Sequence, residues 1–307
     1  MAEQPKARVR LGINPIGWSN DDLPELGGDI PLERCLAEAA RAGYSGIEKG
    51  GKFPNDPKLL RPMLEDRGLV LVSGWFSGGL LELTLDEEKK RLGPHLHLLQ
   101  EMGCPVLIYA ETTGTVQNRI SVPVADRPKL KPDELRRYGE KLTKLADWLA
   151  AENCPMAYHH HMGTVVETEA EIDLLMANTD TSVGLLFDTG HLTFAGGEVA
   201  ATFRRHAARI VHVHAKNVRP SVLEKVRSER WSFLKGVVEG VFTVPGDPEG
   251  CVDFEELARL LAEAGYRGWV VVEAEQDPKK AEPLRYATMG IEAIRAACAA
   301  AGVAVER

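Results

Sequence analysis

Val183-Gly184-Leu185-Leu186-Phe187-Asp188-Thr189-Gly190-His191 is a short apolar run that stops at an acid, a turn and a histidine. A parallel strand has this look when helices cover both faces of its sheet. An acid at the carboxyl end of such a strand faces the crevice where α/β folds carry their chemistry. Other apolar runs end in the same manner. Met156-Ala157-Tyr158-His159-His160-His161 closes on histidines, Ile210-Val211-His212-Val213-His214 on a His-x-His pair, and Trp269-Val270-Val271-Val272-Glu273-Ala274-Glu275 on acids. Four strand ends carrying His, Asp, His and Glu point to a divalent metal site, for which the rest of the chain is scaffold.

Outward from these runs the chain alternates strand and helix. Strands are expected over residues 9–14, 45–48, 69–73, 106–110, 156–161, 183–187, 210–214 and 269–273. Helices are expected over 32–42, 56–67, 86–102, 132–152, 169–177, 198–206, 254–264 and 283–300, several stopped by a glycine such as Gly43, Gly68 or Gly265. Eight strands each followed by a helix predict a single (β/α)8 barrel spanning residues 1–307, with no dividing linker. Long polar loops follow strand four (111–130) and strand seven (215–251), and both are candidate lids on the catalytic face. Ala42-Gly43-Tyr44-Ser45-Gly46-Ile47 and Ala264-Gly265-Tyr266-Arg267-Gly268-Trp269 resemble each other, which helix-stop chemistry alone can produce.

The composition, 44% hydrophobic and 27% charged, is that of a globular protein with ample core. A net charge of −8 argues against nucleic acid and anionic membranes as partners. No apolar run approaches a membrane span, and Met1–Lys6 lacks the apolar core of a signal peptide, so the cytoplasm is the expected compartment. Cys35, Cys104, Cys154, Cys251 and Cys298 are scattered and read as reduced thiols. No G-x-x-x-x-G-K-[ST] or G-x-G-x-x-G occurs, so no phosphate loop is indicated. Self-association into a homo-oligomer is left open.

A lone histidine at a strand end is more often a structural residue than a ligand, and an acid there can merely cap the next helix. The coincidence of four such ends favours a site. Side chains alternate along a strand, so His159 shares a face with His161, His212 with His214, and Glu273 with Glu275. Asp188, His214 and Glu273 are the expected metal ligands. Period does not separate His159 from His161; His159, where the strand is still regular, is the preferred fourth. A mixed nitrogen and oxygen set suits Mn²⁺, Co²⁺, Zn²⁺ or Fe²⁺ better than Ca²⁺. A polyol needs convergent hydrogen bonds and a ring to stack on. Asn14, Glu48, Glu111 and Arg219 are candidates for the first, and Trp18, Trp75 and Tyr109 for the second.

Leu11-Gly12-Ile13-Asn14-Pro15-Ile16-Gly17-Trp18-Ser19-Asn20-Asp21-Asp22-Leu23-Pro24-Glu25-Leu26-Gly27-Gly28 closely resembles the opening of the inosose dehydratase family. Tyr158–Thr164, Asp188–Gly197, His212–Lys216 and Gly240–Asp247 match that family too, and the Asp-Thr-Gly-His and His-x-His elements are shared across xylose-isomerase-like TIM barrels. The resemblance implies a Glu, Asp, His, Glu quartet of metal ligands. Asp188, His214 and Glu273 match three of them, and His159 stands roughly where the first Glu would be. It further implies Mn²⁺ or Co²⁺, an association with glutathione, and dehydration of 2-keto-myo-inositol (scyllo-inosose) to a trihydroxycyclohexane-1,2-dione in myo-inositol catabolism. The reaction needs a base for the proton beside the ketone and an acid for the leaving hydroxyl. His161 or Glu275 is the expected base, and His191 or Lys216 the acid or electrostatic partner. A metal-dependent ketose isomerase or epimerase working through an enediolate is the alternative on the same barrel.

Overall fold

A computed structural model describes residues 7–306. Met1–Lys6, on which the expectation about export rests, lie outside the described residues. The strands are β1 (Arg8–Ile13), β2 (Gly46–Lys49), β3 (Val70–Gly78), β4 (Leu107–Glu111), β5 (Met156–His159), β6 (Val183–Asp188), β7 (Ile210–Ala215), β8 (Asn217–Val218), β9 (Phe242–Thr243), β10 (Arg267–Val272) and β11 (Ala304–Glu306). The strands β1 to β7 and β10 form a parallel ring. It closes where β10 pairs with β1, from Arg8 opposite Arg267 to Ile13 opposite Val272. The expected (β/α)8 barrel is therefore present. The short strand β11 extends the sheet beside the first half of β1, where β2 does not reach. No helix among the described residues is long and apolar enough to cross a membrane.

Local chemistry sets the element ends. Helix Leu85–Met102 starts at Thr84, whose hydroxyl accepts from the Glu87 amide while the Glu87 carboxylate accepts from the Thr84 amide. Helix Leu32–Ala42 stops at Gly43, which adopts φ +99°, a conformation that costs a glycine nothing. Gly265 stops its helix with φ +60°, and the amides of Tyr44 and Tyr266 both bond back to the preceding helix. The two similar phrases are thus one turn device used twice.

Apolar residues divide between two layers. Most pack between the strands and the outer helices, including Leu36, Leu60, Leu92, Leu142 and Ile291. A smaller set fills the barrel interior, with Val72, Trp269 and Val271 together in one cluster and Val106, Ile108, Ala157 and Leu186 in another. All five cysteines are free thiols, and only Cys251 is exposed.

Several local expectations change. Strand β5 ends at His159 rather than His161, because the His161 amide leaves the sheet to bond the Val166 carbonyl at 3.0 Å. Strand β3 continues to Gly78, and its second half, Trp75–Gly78, pairs with Ile108–Glu111 of β4. A short helix, Thr189–Phe194, follows β6 directly. The segment 215–251 is not an open loop. It holds helices Pro220–Ser228 and Phe233–Val238 and the antiparallel pair β8–β9. Its Val218, Val226, Phe233, Val237 and Phe242 pack into one apolar cluster with Met162 and Phe194 from outside it. Its prolines and glycines hid that apolar spacing in the sequence.

Inside the barrel there is no room at Gly46. A Cβ there would lie 2.3 Å from Val72 Cγ2 and 2.6 Å from the Trp269 ring. Gly46→Ala should therefore destabilise the fold by about 1–3 kcal/mol through overpacking. Urea unfolding checks this, and an unchanged midpoint would show that the barrel interior yields.

Candidate active site and metal centre

The register of the barrel brings the polar strand ends together. Asp188, the last residue of β6, pairs with His214 of β7, and Val271 of β10 pairs with the same histidine, which brings Glu273 close by. His159 ends β5 on the other side of β6. The His214 Nδ1 lies 2.8 Å from Glu273 Oε2 and 3.4 Å from Asp188 Oδ2. His159 Nε2 is 3.8 Å from the same Asp188 oxygen.

Hydrogen bonds on the far side of each imidazole orient it. His214 Nε2 lies 3.1 Å from Glu48 Oε1, to which His212 Nε2 also donates at 2.8 Å. Glu48 in turn accepts from Asn14 Nδ2 and Ser73 Oγ, each at 2.7 Å. His159 Nδ1 donates to the His160 carbonyl at 2.5 Å and His161 Nδ1 to the Met162 carbonyl at 2.9 Å. With those protons assigned by their acceptors, Nε2 of His159 and of His161 carry free lone pairs, while Nδ1 of His214, which faces Glu273, would offer one only after giving up a proton. This is how metal-binding histidines are held. Asp188 uses Oδ1 to cap its short helix, accepting from the His191 amide at 2.8 Å. Its Oδ2, like His214 Nδ1, is buried without a hydrogen-bond partner. Such orphaned atoms in a mixed nitrogen and oxygen set fit a divalent cation. Donor atoms of His159, Asp188, His191 and Glu273 lie within 4.8 Å of one another. His191 Nε2, however, already accepts from Lys216 Nζ at 2.7 Å, which leaves His214 the better fourth donor.

Lys216 is fully buried at the centre of the acids. Its ammonium is 2.6 Å from Glu273 Oε1, 2.9 Å from Glu275 and 3.5 Å from Asp188 Oδ2, and it sits 4.9 Å from the centre of the Phe242 ring. Burial pulls its pKa down, but Asp188, Glu273 and Glu275 more than offset that and keep it charged. Burial pushes Asp188 up, yet Lys216 and His191 hold its carboxyl well below the usual range. Burial also depresses His214, and Glu273 and Glu48 reverse this, raising it well above the ordinary value. Burial, with Lys216 adding to it, lowers His161 to about 4. Glu275 is pushed up to about 7 by burial, with Lys216 opposing.

A cleft of about 300 Å³ opens above this cluster, a volume suited to one small ligand. His159, His161, His214, Glu273 and Glu275 line it, as do the expected Asn14, Glu48 and Trp75. The Trp75 ring stands edge-on to His159 and His161, with centroids 5.4 and 5.3 Å away. Asp188, His191 and Lys216 lie behind the lining.

Other expected contacts are placed elsewhere. Trp18 is only 2% exposed, and its indole N–H donates to Glu38 at 2.6 Å, so its ring packs in the core. Glu111 spends its carboxylate on the amides of Leu81 and Thr113, at 3.2 and 3.1 Å. Arg219 braces the β8–β9 pair through Asp247, Thr243 and the Gly240 carbonyl. Tyr109 is buried with its hydroxyl on Glu88. Glu48, expected to meet substrate, turns out to join His212 and His214 as well. Sequence reasoning did not select Asp21, Asp22 or Gln117, which also line the cleft. Asp21 and Asp22 stand in the opening motif, which was their one available signal.

The profile of the xylose isomerase-like TIM barrel family matches residues 36–300. The rhizopine catabolism protein MocC of Rhizobium meliloti is 51% identical, over 96% of this chain and 90% of its own. An inosose dehydratase of Geobacillus thermodenitrificans is 45% identical, over 95% of this chain and 98% of its own. Among solved structures, an L-ribulose 3-epimerase superposes with a TM-score of 0.67 at 17% identity, covering 96% of both chains, which is a likeness of fold. The chain belongs to the xylose isomerase-like TIM barrel family, and within it to the family of the inosose dehydratases.

Glu48 fixes the His214 imidazole from behind. Glu48→Gln should weaken divalent-ion binding by roughly 10–100-fold, the usual loss when such an outer partner is changed. Equilibrium dialysis with elemental analysis reads this directly, and wild-type affinity would show that Glu48 does not govern His214.

Proposed function

We infer that this chain is a hydro-lyase that removes water from 2-keto-myo-inositol, forming a trihydroxycyclohexane-1,2-dione in inositol catabolism. Whole-length likeness to inosose dehydratases supports the substrate. The observation that carries the chemistry is the cleft floor, where the proton-free Nε2 of His161 lies beside a cluster of buried acids and imidazoles. His159, Asp188, His214 and Glu273 would hold the metal, and their mixed donors favour Mn²⁺ or Co²⁺. When bound, such an ion supplies Lewis-acid polarisation of the ketone.

The chain's own residues then divide the proton work. His161 faces the cleft with its Nδ1 proton tied to a carbonyl, so Nε2 is placed to take the proton from the carbon beside the ketone. Loss of the β-hydroxyl leaves the enol of the dione. Glu275 lies across from His161, 4.0 Å from its Nε2, and is the group placed to protonate that hydroxyl. Lys216 or His191 was expected as the acid or an electrostatic partner. Lying behind the lining, they act on Glu275, which Lys216 holds by a 2.9 Å hydrogen bond. Trp75 lines one wall.

Metal-stripped protein should form dione from 2-keto-myo-inositol only when Mn²⁺ or Co²⁺ is returned, followed by dione absorbance. Rhizopine belongs in the same assay, because the relative named for its catabolism is 51% identical. An isomeric sugar without loss of water would instead establish the isomerase or epimerase reading. Removal of the base in His161→Gln should lower kcat by about 10²–10⁴-fold with metal content unchanged; near-normal turnover would transfer the role to Glu275.

A further inference from the structure

The Asn20-Asp21-Asp22 part of the opening motif has no role in the proton chemistry described above. It reaches the cleft from the loop after β1, while Gln117 reaches it from the loop after β4, three strands around the ring. Gln117 Nε2 donates to Asp22 Oδ2 at 3.3 Å, so the two loops meet across the cleft mouth. That contact fixes the amide's orientation, because the reverse would set two oxygens against each other. The consequence is that Gln117 Oε1 is left buried with no hydrogen-bond partner, in a side chain only 6% exposed. A buried unpaired acceptor is costly unless something else donates to it.

The backbone beneath these side chains is firmly set. The Asp22 and Leu23 amides both donate to Asn20 Oδ1 at 2.9 Å. The Gln117 amide donates to Thr115 Oγ1 at 3.2 Å, and Thr115 Oγ1 in turn donates to the Gly163 carbonyl at 3.0 Å. Glycine is required at 163, since a Cβ there would approach the Gln117 amide nitrogen to 2.8 Å. Asp22 and Gln117 are thereby held side by side at the cleft wall, each bringing an acceptor, with the Gln117 oxygen enclosed just behind the lining. They call for a ligand that donates at neighbouring positions, as adjacent ring hydroxyls do.

We propose that Asp22 and Gln117 form a subsite that binds the ring hydroxyls of a polyol on the side away from the reacting carbons, and so set substrate specificity. The inference rests on the dehydratase reading for its substrate class, while its geometry stands on the cleft itself. The floor, on strand ends, meets the ketone and its neighbours; the mouth, on loops, meets the rest of the ring.

The test is calorimetric titration of the metal-loaded protein with myo-inositol, which presents the hydroxyls without the ketone. Wild type is compared with Gln117→Met and Asp22→Asn, with metal content and melting recorded for each. Each variant should bind myo-inositol roughly tenfold more weakly, the loss of one good hydrogen bond or charge-assisted contact. In turnover of 2-keto-myo-inositol, KM should rise by a similar factor with kcat within twofold. Should Gln117→Met melt early, Asp22→Asn decides alone. Unchanged affinity in a folded variant overturns the subsite, as does a wild type that binds no myo-inositol, or a loss that merely follows lost metal. A wild type that binds myo-inositol, loses that binding in the variants, and yet forms no dione would remove the dehydratase reading and leave the subsite standing.

Discussion

Burying acids is the constraint on which the rest of this structure depends. Glu48, Asp188, Glu273 and Glu275 are all nearly inaccessible, gathered at one end of the barrel around Lys216 and His214. Carboxylates removed from water must be paired or neutralised. Lys216 supplies one permanent charge in contact with three of them. His214, between Glu48, Asp188 and Glu273, either holds a second proton or gives up Nδ1 to a cation. Under the proposed metal reading, a proton on Nδ1 and a divalent ion would be alternatives. Burial depresses all three imidazoles, but Glu273 and Glu48 raise His214 well above its ordinary pKa while His159 and His161 stay depressed.

Roles among the clustered histidines follow from what the second ring nitrogen touches. His159 and His161 each give a proton to a backbone carbonyl one residue onward, a consequence of the chain leaving the sheet at His159. His214 gives its proton to a carboxylate instead and so gains basicity at the other nitrogen. His160, on the opposite face, accepts from the Asp188 amide at 3.4 Å and helps set the start of the short helix. Adjacent histidines thus have different partners without any difference in residue type.

Much of this was legible in sequence, for a definite reason. Strand ends are read from period and termination, and in a barrel their carboxyl ends must meet. Asp188, His214, Glu273 and one of His159 and His161 could be grouped on that argument alone. Trp18, Glu111 and Arg219 could not be judged the same way. They sit at or past strand ends, where direction depends on partners far away in sequence, such as Glu38 for Trp18 and Asp247 for Arg219. The hidden order of 215–251 is a related case. Its core forms against Met162 and Phe194 from other elements, so no local periodicity reveals it. Gln117 lay inside a polar loop whose sequence gives no reason to prefer one residue over its neighbours.

The loops that were expected to act as lids are better understood as fixed walls. Arg127 ties the segment after β4 to helix Glu169–Ala177, donating to both oxygens of Glu171 at 2.8 Å and to the Thr164 carbonyl at 3.0 Å, with Glu167 at 3.2 Å. The same segment is joined to the one after β7, where the Val124 amide meets the Trp231 carbonyl at 3.1 Å and Arg230 meets Asp126 at 2.6 Å. On the other side of the mouth, Lys52 gathers the carbonyls of Gly27, Gly28 and Ile30, bracing the loop that carries Asp22. Moving any one wall would therefore strip several buried or half-buried polar groups of their partners, and moving the segment after β4 would drag its neighbour along. A cleft built this way has its binding geometry set before a ligand arrives, so less of the binding energy goes into ordering loops. Strand register fixes the acids and imidazoles, loop bracing fixes the acceptors above them, and the distance between the two levels is what decides which ring fits.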